Sequence, residues 1–513
     1  MNRLARESAR RFGVACRAGV RSGLALCALG CAARAPAAEP PRERPGMAAA
    51  RRRSVIKLPA TGAESLRYEV RLDASLSTID VEVCPRGFRI ARLESPSPGA
   101  QELLGGDPII TPEAEFRCSE DGVDLPSIRA DECLSYRVHL PDRARDPSAL
   151  RRVDRDLLAS PDLWLWVPTP RPATLAMRVH FTLPNGVVAA LPWPKSGEDF
   201  ALPETAFTWK AGGAFAHAPP KILPLEGGEL AWTALGQGFE HEAEVEAWLG
   251  DGARAASLLF GRFPLAHAVV LGVPGARGRA SFGMALRGGG PAVVILLDRF
   301  ADAASLASDW TSTHEFLHLG VPRLPPEDAW LFEGLATYYT EVVRARAGAI
   351  SPAAAYQHLL DGFERGRKHA GERTLREASA AMRQNHDFYR VYWSGAALAF
   401  LTDVAARRAG GPTLDAALRS FADCCAASEE DWDAERVLAK LDAELGAPRF
   451  ATIAHASLNR AAFPELGAAL RELGVAPGTR GEAIFQPAPD AALRDAIMAA
   501  PLQAHSDREP QEQ

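Results

Sequence analysis

The chain runs to 513 residues, too many for one ordinary domain, and at 47% hydrophobic and 24% charged residues it has the composition of a globular protein. Its net charge of -6 is unevenly spread, because residues 1–53 hold twelve Arg, no Lys and three Glu, which leaves the remainder strongly acidic. A folded part with no basic face to offer phosphates excludes nucleic acid as its partner.

The basic start predicts export. Arg3, Arg6, Arg10, Arg11, Arg17 and Arg21 precede a short apolar run, Gly23 to Gly30, and then Cys31. A positive segment, an apolar segment and small residues in that order form a secretion signal, here residues 1–37, and the run is too short to span a bilayer. Two processing sites compete. Leu29-Gly30-Cys31 resembles a lipoprotein cleavage site, which would attach the protein to a bacterial membrane through a lipidated Cys31, although Ala28 stands where Leu is commonest. Cleavage after Ala35-Pro36-Ala37 would release a periplasmic or extracellular protein instead. Residues 38–54, rich in Ala, Pro and Arg without apolar periodicity, read as a linker.

From Leu66 the apolar period becomes two: Leu66, Tyr68, Val70 and Leu72, then Ile79, Val81 and Val83, then Leu134, Tyr136, Val138 and Leu140, then Leu175, Met177, Val179, Phe181 and Leu183. Alternation of this kind marks strands with one buried face, so residues 55–235 are expected to form an N-terminal β-sandwich-like domain. None of the eight cysteines sits in a CxxC pair, which argues against a cysteine zinc site. In an oxidising compartment two of Cys84, Cys118 and Cys133 would be bridged, and the sequence does not say which. Cys424 and Cys425 read as small buried apolar groups on a helix.

After about residue 237 the texture is helical, with one β interruption at roughly 266–298 that includes the run Ala292 to Leu297. A helix is expected over 302–319, stopped by Gly320 and Pro322, and a second from Pro325-Pro326 to Gly348, with Glu327 and Asp328 in its first turn. Residues 236–460 are thus a mainly α domain, and 461–513 a helical segment with a disordered tail.

The first helix carries His314-Glu315-Phe316-Leu317-His318. Positions i and i+4 share a helical face, so the two imidazoles converge, and Glu315 beside them can reach a metal-bound water as general base. The second carries Glu333 in a nearly all-apolar stretch, where a buried carboxylate needs either a metal or an arginine. Leu324 excludes the three-histidine metzincin pattern, which leaves Glu333 as the natural third ligand of one zinc ion. Tyr392, in Tyr392-Trp393-Ser394-Gly395-Ala396 at the start of a further long helix, is placed to donate to a developing oxyanion; its structural alternative is a core tyrosine.

These motifs, HEFLH, Trp330 to Tyr339 (WLFEGLATYY) and YWSGA, resemble those of the gluzincin metallopeptidases and, within them, the glycyl aminopeptidase family. The resemblance extends weakly to Trp164 to Pro168 and Leu191 to Pro194. It implies a thermolysin-like catalytic domain, a peptide or protein substrate, and a second layer of support from Thr337, one turn after Glu333. Three departures accompany it. Only fourteen residues separate His318 from Glu333, and too few residues follow residue 460 for the C-terminal PDZ module common in the family. Moreover, Ser281 to Leu286 falls where related aminopeptidases place a strand bearing a glutamate that grips the substrate's amino terminus, and here Ala285 stands in its place. The expected activity is therefore peptide hydrolysis that does not depend on a free amine, with Arg287 nearby to repel one and with Glu240 or Glu242 as alternative acids. Two rival functions remain, a zinc hydrolase of a non-peptide bond and a non-catalytic surface-binding protein. Retention of Glu315 and Tyr392 argues against the second. Oligomeric state is not legible.

Overall fold

The computed structural model describes residues 64–500, apart from 119–121, 127, 143–148, 173–174, 204–205, 207–211, 279–280, 288, 429 and 431. The expected signal, the linker and the extreme tail lie outside the described residues.

The alternating segments form strands whose apolar sides face one core. β1 (Ser65–Leu72), β2 (Thr78–Arg86), β3 (Leu134–His139) and β4 (Ala176–Thr182) lie side by side in an eight-stranded sheet, in the order β4-β1-β2-β3. β2 is antiparallel to β1 with Tyr68 opposite Val83, whereas β4 is parallel to β1 with Tyr68 opposite Val179. Leu66, Tyr68, Val70, Ile79, Val81, Tyr136, Val138 and Val179 are all buried, so register follows from the period of two. The core beneath holds Trp164 and Trp166, and the phenols of Tyr68 and Tyr136 donate to the carbonyls of Trp166 and Trp164, each at 2.9 Å. Burying these rings without such partners would leave unpaired polar groups at about 1–3 kcal/mol each. Cys84 and Cys133 are the bonded pair.

A second sheet follows. β5 (Lys221–Leu225), β6 (Gly228–Ala234), β7 (His267–Gly275), β8 (Phe282–Leu286) and β9 (Ala292–Asp298) are arranged β5-β6-β7-β9-β8. β6, β7 and β9 are parallel, and β8 lies antiparallel on the edge with Ala285 opposite Val293. β5 and β6, which the sequence reading grouped with the N-terminal strands, belong to this sheet, β5 pairing with β6 and β6 with β7. Leu230 to Ala234 are buried on both faces, and an apolar run of that kind does not show which sheet it joins. The run Ala292 to Ile295 is buried on both faces, as a near-central parallel strand requires.

Helix α1 (Glu242–Phe260) connects β6 to β7 and ends at Gly261 in the left-handed conformation. The helix expected over 302–319 is broken in two, α2 (Ala303–Ala307) and α3 (Thr311–Leu317), with His318–Gly320 as a 3-10 turn. The break has a local cause: the Asp309 carboxylate accepts the Thr311 N–H at 2.8 Å, a bond that competes with continuing the helix through Ser308 and Asp309. The next helix starts with a 3-10 turn, Pro326–Asp328, and continues as α4 (Ala329–Arg346). α5 (Pro352–Lys368) and α6 (Phe388–Arg408) pack against it, and α7 (Leu414–Cys425) is tied to it through Asp415, which accepts from Tyr339 and Arg346. Cys424 and Cys425 at the end of α7 are bonded to each other, which corrects their reading as two separate apolar groups. Beyond residue 460 the chain adds the helix Gly467–Leu473, two short strands and the helix Ala491–Met498, whose Ile497 carbonyl accepts from the buried Arg346 at 2.8 and 3.0 Å. No described helix is long and apolar enough to cross a membrane.

Candidate metal centre

All seven residues of α3 are buried, with Phe316 and Leu317 in the core and His314 and Glu315 directed toward α4 and β8. His314 and His318 keep the i, i+4 relationship across the junction of α3 with its 3-10 turn, their rings perpendicular and 4.8 Å apart. Glu333, one turn into α4, brings Oε2 to 3.4 Å from His314 Nε2 and 3.3 Å from His318 Nε2. One ligand atom from each residue lies within 4.8 Å of the other two. The ion-pair partners of Glu333 among the described residues are these two histidines, so the arginine alternative is not what the fold supplies. Burial works to raise the Glu333 pKa, but charge on His318 and hydrogen bonds from both imidazoles hold it below the usual carboxylate range.

The histidine nitrogens test whether a metal fits. The Thr340 hydroxyl donates to the Ala336 carbonyl at 2.7 Å, so its oxygen is left to accept from His314 Nδ1, 3.2 Å away. That arrangement keeps a proton on Nδ1, so a metal would displace only the proton that Nε2 shares with Glu333 and take the lone pair there, as a metal ligand requires. The His318 ring lies flat on Phe332, 4.1 Å between centroids, and its Nδ1 has no protein partner. Two neutral nitrogen donors and a carboxylate, buried together, match the donor set of a catalytic zinc site with a fourth position open. The other metal-like group, Glu82 with Cys84 and Cys133, has its sulfurs committed to the disulfide.

Glu315 Oε2 accepts the backbone N–H of Ala285 on β8 at 2.7 Å. A β-carbon on Gly283 would come within 2.3 Å of Glu315 Cγ, so only glycine lets this strand approach the carboxylate. Burial pushes the Glu315 carboxyl up to about 7; the His314 charge draws it down, Glu333 pushes it up, and the Ala285 N–H draws it down. A dication alongside would lower it further toward the ionised form.

Tyr392, on the first turns of α6, stacks over His314 with centroids 6.3 Å apart. Burial, followed by the charges of Glu333 and Glu315 and a hydrogen bond to Glu333, raises its pKa, so it is a protonated phenol at neutral pH and a donor. All five residues singled out in the sequence therefore meet in one place. Thr337 does not contribute as expected, because its hydroxyl is buried without a partner and Thr340, three residues on, supports His314 instead. Both hydroxyls lie on the Glu333 side of α4, at i+4 and i+7, so the periodicity alone could have named either. Arg287, read as a repelling charge, turns its guanidinium to the carbonyls of Val321 and Ala426. Glu242 is engaged with Lys221 at 3.0 Å.

Residues 323–398, which include Glu333 and Tyr392, match the sequence profile of the M61 glycyl aminopeptidase family. A comparison with curated proteins finds none that matches. Among solved structures, the chain shares its fold with an aminopeptidase N family protein from Idiomarina loihiensis, at 15% identity and a TM-score of 0.61, over 80% of this chain and 78% of that one. An M1 zinc metallopeptidase from Deinococcus radiodurans is also similar, at 14% identity and a TM-score of 0.48, over 79% of this chain and 94% of that one. A β-sheet-rich N-terminal part followed by a mainly helical part is the architecture here.

Proposed function

We propose that the chain, whose residues 323–398 match the M61 glycyl aminopeptidase family, is a zinc metallopeptidase that hydrolyses peptide bonds with Glu315 as general base and Tyr392 as oxyanion donor. His314, His318 and Glu333 would hold one zinc ion. Zinc bound there would supply a Lewis acid that polarises the scissile carbonyl and acidifies the attacking water. Glu315 takes the proton of that water and returns it to the leaving amine. The Ala285 N–H keeps one carboxylate oxygen in place, which leaves the other for the proton. The Tyr392 O–H donates to the oxygen on which negative charge develops.

The observation that carries this reading is the meeting of two histidines, one of them held by Thr340, with Glu333 and the strand-held Glu315 in one place. A binding protein would gain nothing from burying Glu315 at the cost of its desolvation. No acid replaces Ala285 on β8 and Glu242 is paired elsewhere, which favours a substrate recognised without its free amine. Hydrolysis of a non-peptide bond uses the same residues; a mixed peptide library separates the two. We expect peptide cleavage that a chelator abolishes and zinc restores, while cleavage insensitive to chelation would contradict the proposal. The export reading, to the periplasm or beyond, rests on residues 1–37 alone.

A further inference from the structure

Four rings follow one another across the metal centre: Trp310 edge-on to His314 at 5.2 Å, His314 stacked with Tyr392 at 6.3 Å, and Tyr392 edge-on to Phe388 at 6.4 Å. The inner two belong to the site. The outer two are exposed, Trp310 by 47% and Phe388 by 37%, and both rank among the few large apolar side chains that the described surface leaves open. Single exposed aromatics need no explanation, but two that each touch a ring of one buried polar site do. Neither is needed by the local structure: Trp310 precedes α3 and its indole nitrogen has no role in the cap, and Phe388 opens α6 in the first turn.

We infer that Trp310 and Phe388 are specificity residues, which grip a large apolar side chain, aromatic by preference, on a residue flanking the scissile bond. The inference rests on the peptidase reading, since it takes the scissile carbonyl to lie beside the ion that His314, His318 and Glu333 would hold, within reach of the Tyr392 O–H. A side chain leaving the backbone there can pack on Trp310 or Phe388, each already in ring contact with a residue of the site, and ring pairs at 4.5–7 Å are favourable in both tilted and stacked arrangements. Burying two exposed aromatic faces against an apolar side chain gives the substrate binding energy that a small or charged side chain does not provide. An acidic flanking residue has the further disadvantage of lying near Glu315 and Glu333.

The test uses the full chain with zinc and internally quenched peptides in one common frame, blocked at both ends, with Phe, Leu, Ala or Asp on each side of the scissile bond in turn. The wild type should show kcat/KM at least tenfold higher for Phe than for Ala in at least one flanking position, and lowest for Asp. In Trp310→Ala or Phe388→Ala that Phe-to-Ala ratio should collapse toward one, mostly through KM, and Trp310→Phe should restore much of it. Zinc content of each variant reports whether the site is still intact. Cleavage without an aromatic preference, or a ratio unchanged in both zinc-replete variants, overturns this inference and leaves the peptidase reading standing. Absence of any peptide cleavage overturns both.

Discussion

Gly334 of α4 and Gly395 of α6 pack backbone against backbone: a β-carbon on Gly395 would lie 2.8 Å from the Gly334 Cα and 1.8 Å from the Trp330 carbonyl oxygen. This contact sets the separation of the two helices. Glu333 directly precedes one glycine and Tyr392 lies three residues before the other, so the crossing that brings the helices together also brings the carboxylate and the phenol together.

Gly395→Ala should therefore damage stability and the site at once. Overpacking of a close contact costs about 1–3 kcal/mol, and helix propensity, which favours Ala by up to about 1 kcal/mol, does not offset it. A lower midpoint in thermal or chemical denaturation together with reduced turnover is expected. An unchanged midpoint would mean that the helices do not meet as described.

Thr340→Val keeps the shape of the side chain and removes the oxygen that accepts from His314 Nδ1. Loss of such support under a histidine ligand weakens metal affinity by about 10–100-fold. Competition titration with a zinc chelator measures it, and Thr337→Val serves as the comparison, since the Thr337 hydroxyl has no partner to lose. Equal affinities in the two variants would remove Thr340 from the site.

The two contrasting threonines show how far the sequence could be read. HExxH spacing, the apolar surroundings of Glu333 and the helix that carries Tyr392, which starts earlier than expected, at Phe388, are local patterns, and local patterns determine which residues share a helical face. The β strands were legible for the same reason, because Leu66 to Leu72 alternate with period two. What the sequence did not disclose depends on contacts between distant segments. The Ala285 N–H on Glu315, the Gly283 approach and the choice of Thr340 over Thr337 are set by how β8 and α4 lie against α3. Sheet membership of Lys221 to Ala234 was hidden likewise, because a run buried on both faces does not show which strand lies beside it. The break between α2 and α3 could have been found from Ser308-Asp309, two residues that favour caps over helix interiors.

Peptides with acetylated amino termini should be cleaved at least as well as their free counterparts. β8 presents Gly283, Met284 and Ala285 beside the site and no acid, and burying an ammonium without a carboxylate would cost several kcal/mol. Paired kinetics on free and acetylated peptides of one sequence decide the matter. Should acetylation abolish cleavage, an amine is being recognised by a group other than β8 supplies.

Processing of the amino terminus is a separate prediction. Mass spectrometry of the mature protein should find a lipid-modified Cys31, in line with Leu29-Gly30-Cys31 after the apolar run. A free terminus at Ala38 would mean ordinary secretion and no anchor.

The most direct test of the account is Glu315→Gln, assayed for zinc and for turnover on the same preparation. Glutamine fills the same space and can still meet β8, so about one zinc per chain should remain, as in the wild type. An amide cannot take the proton of the attacking water, so turnover should fall by about 10²–10⁴-fold. A variant that keeps its zinc and cleaves peptides at a near-wild-type rate would contradict the account.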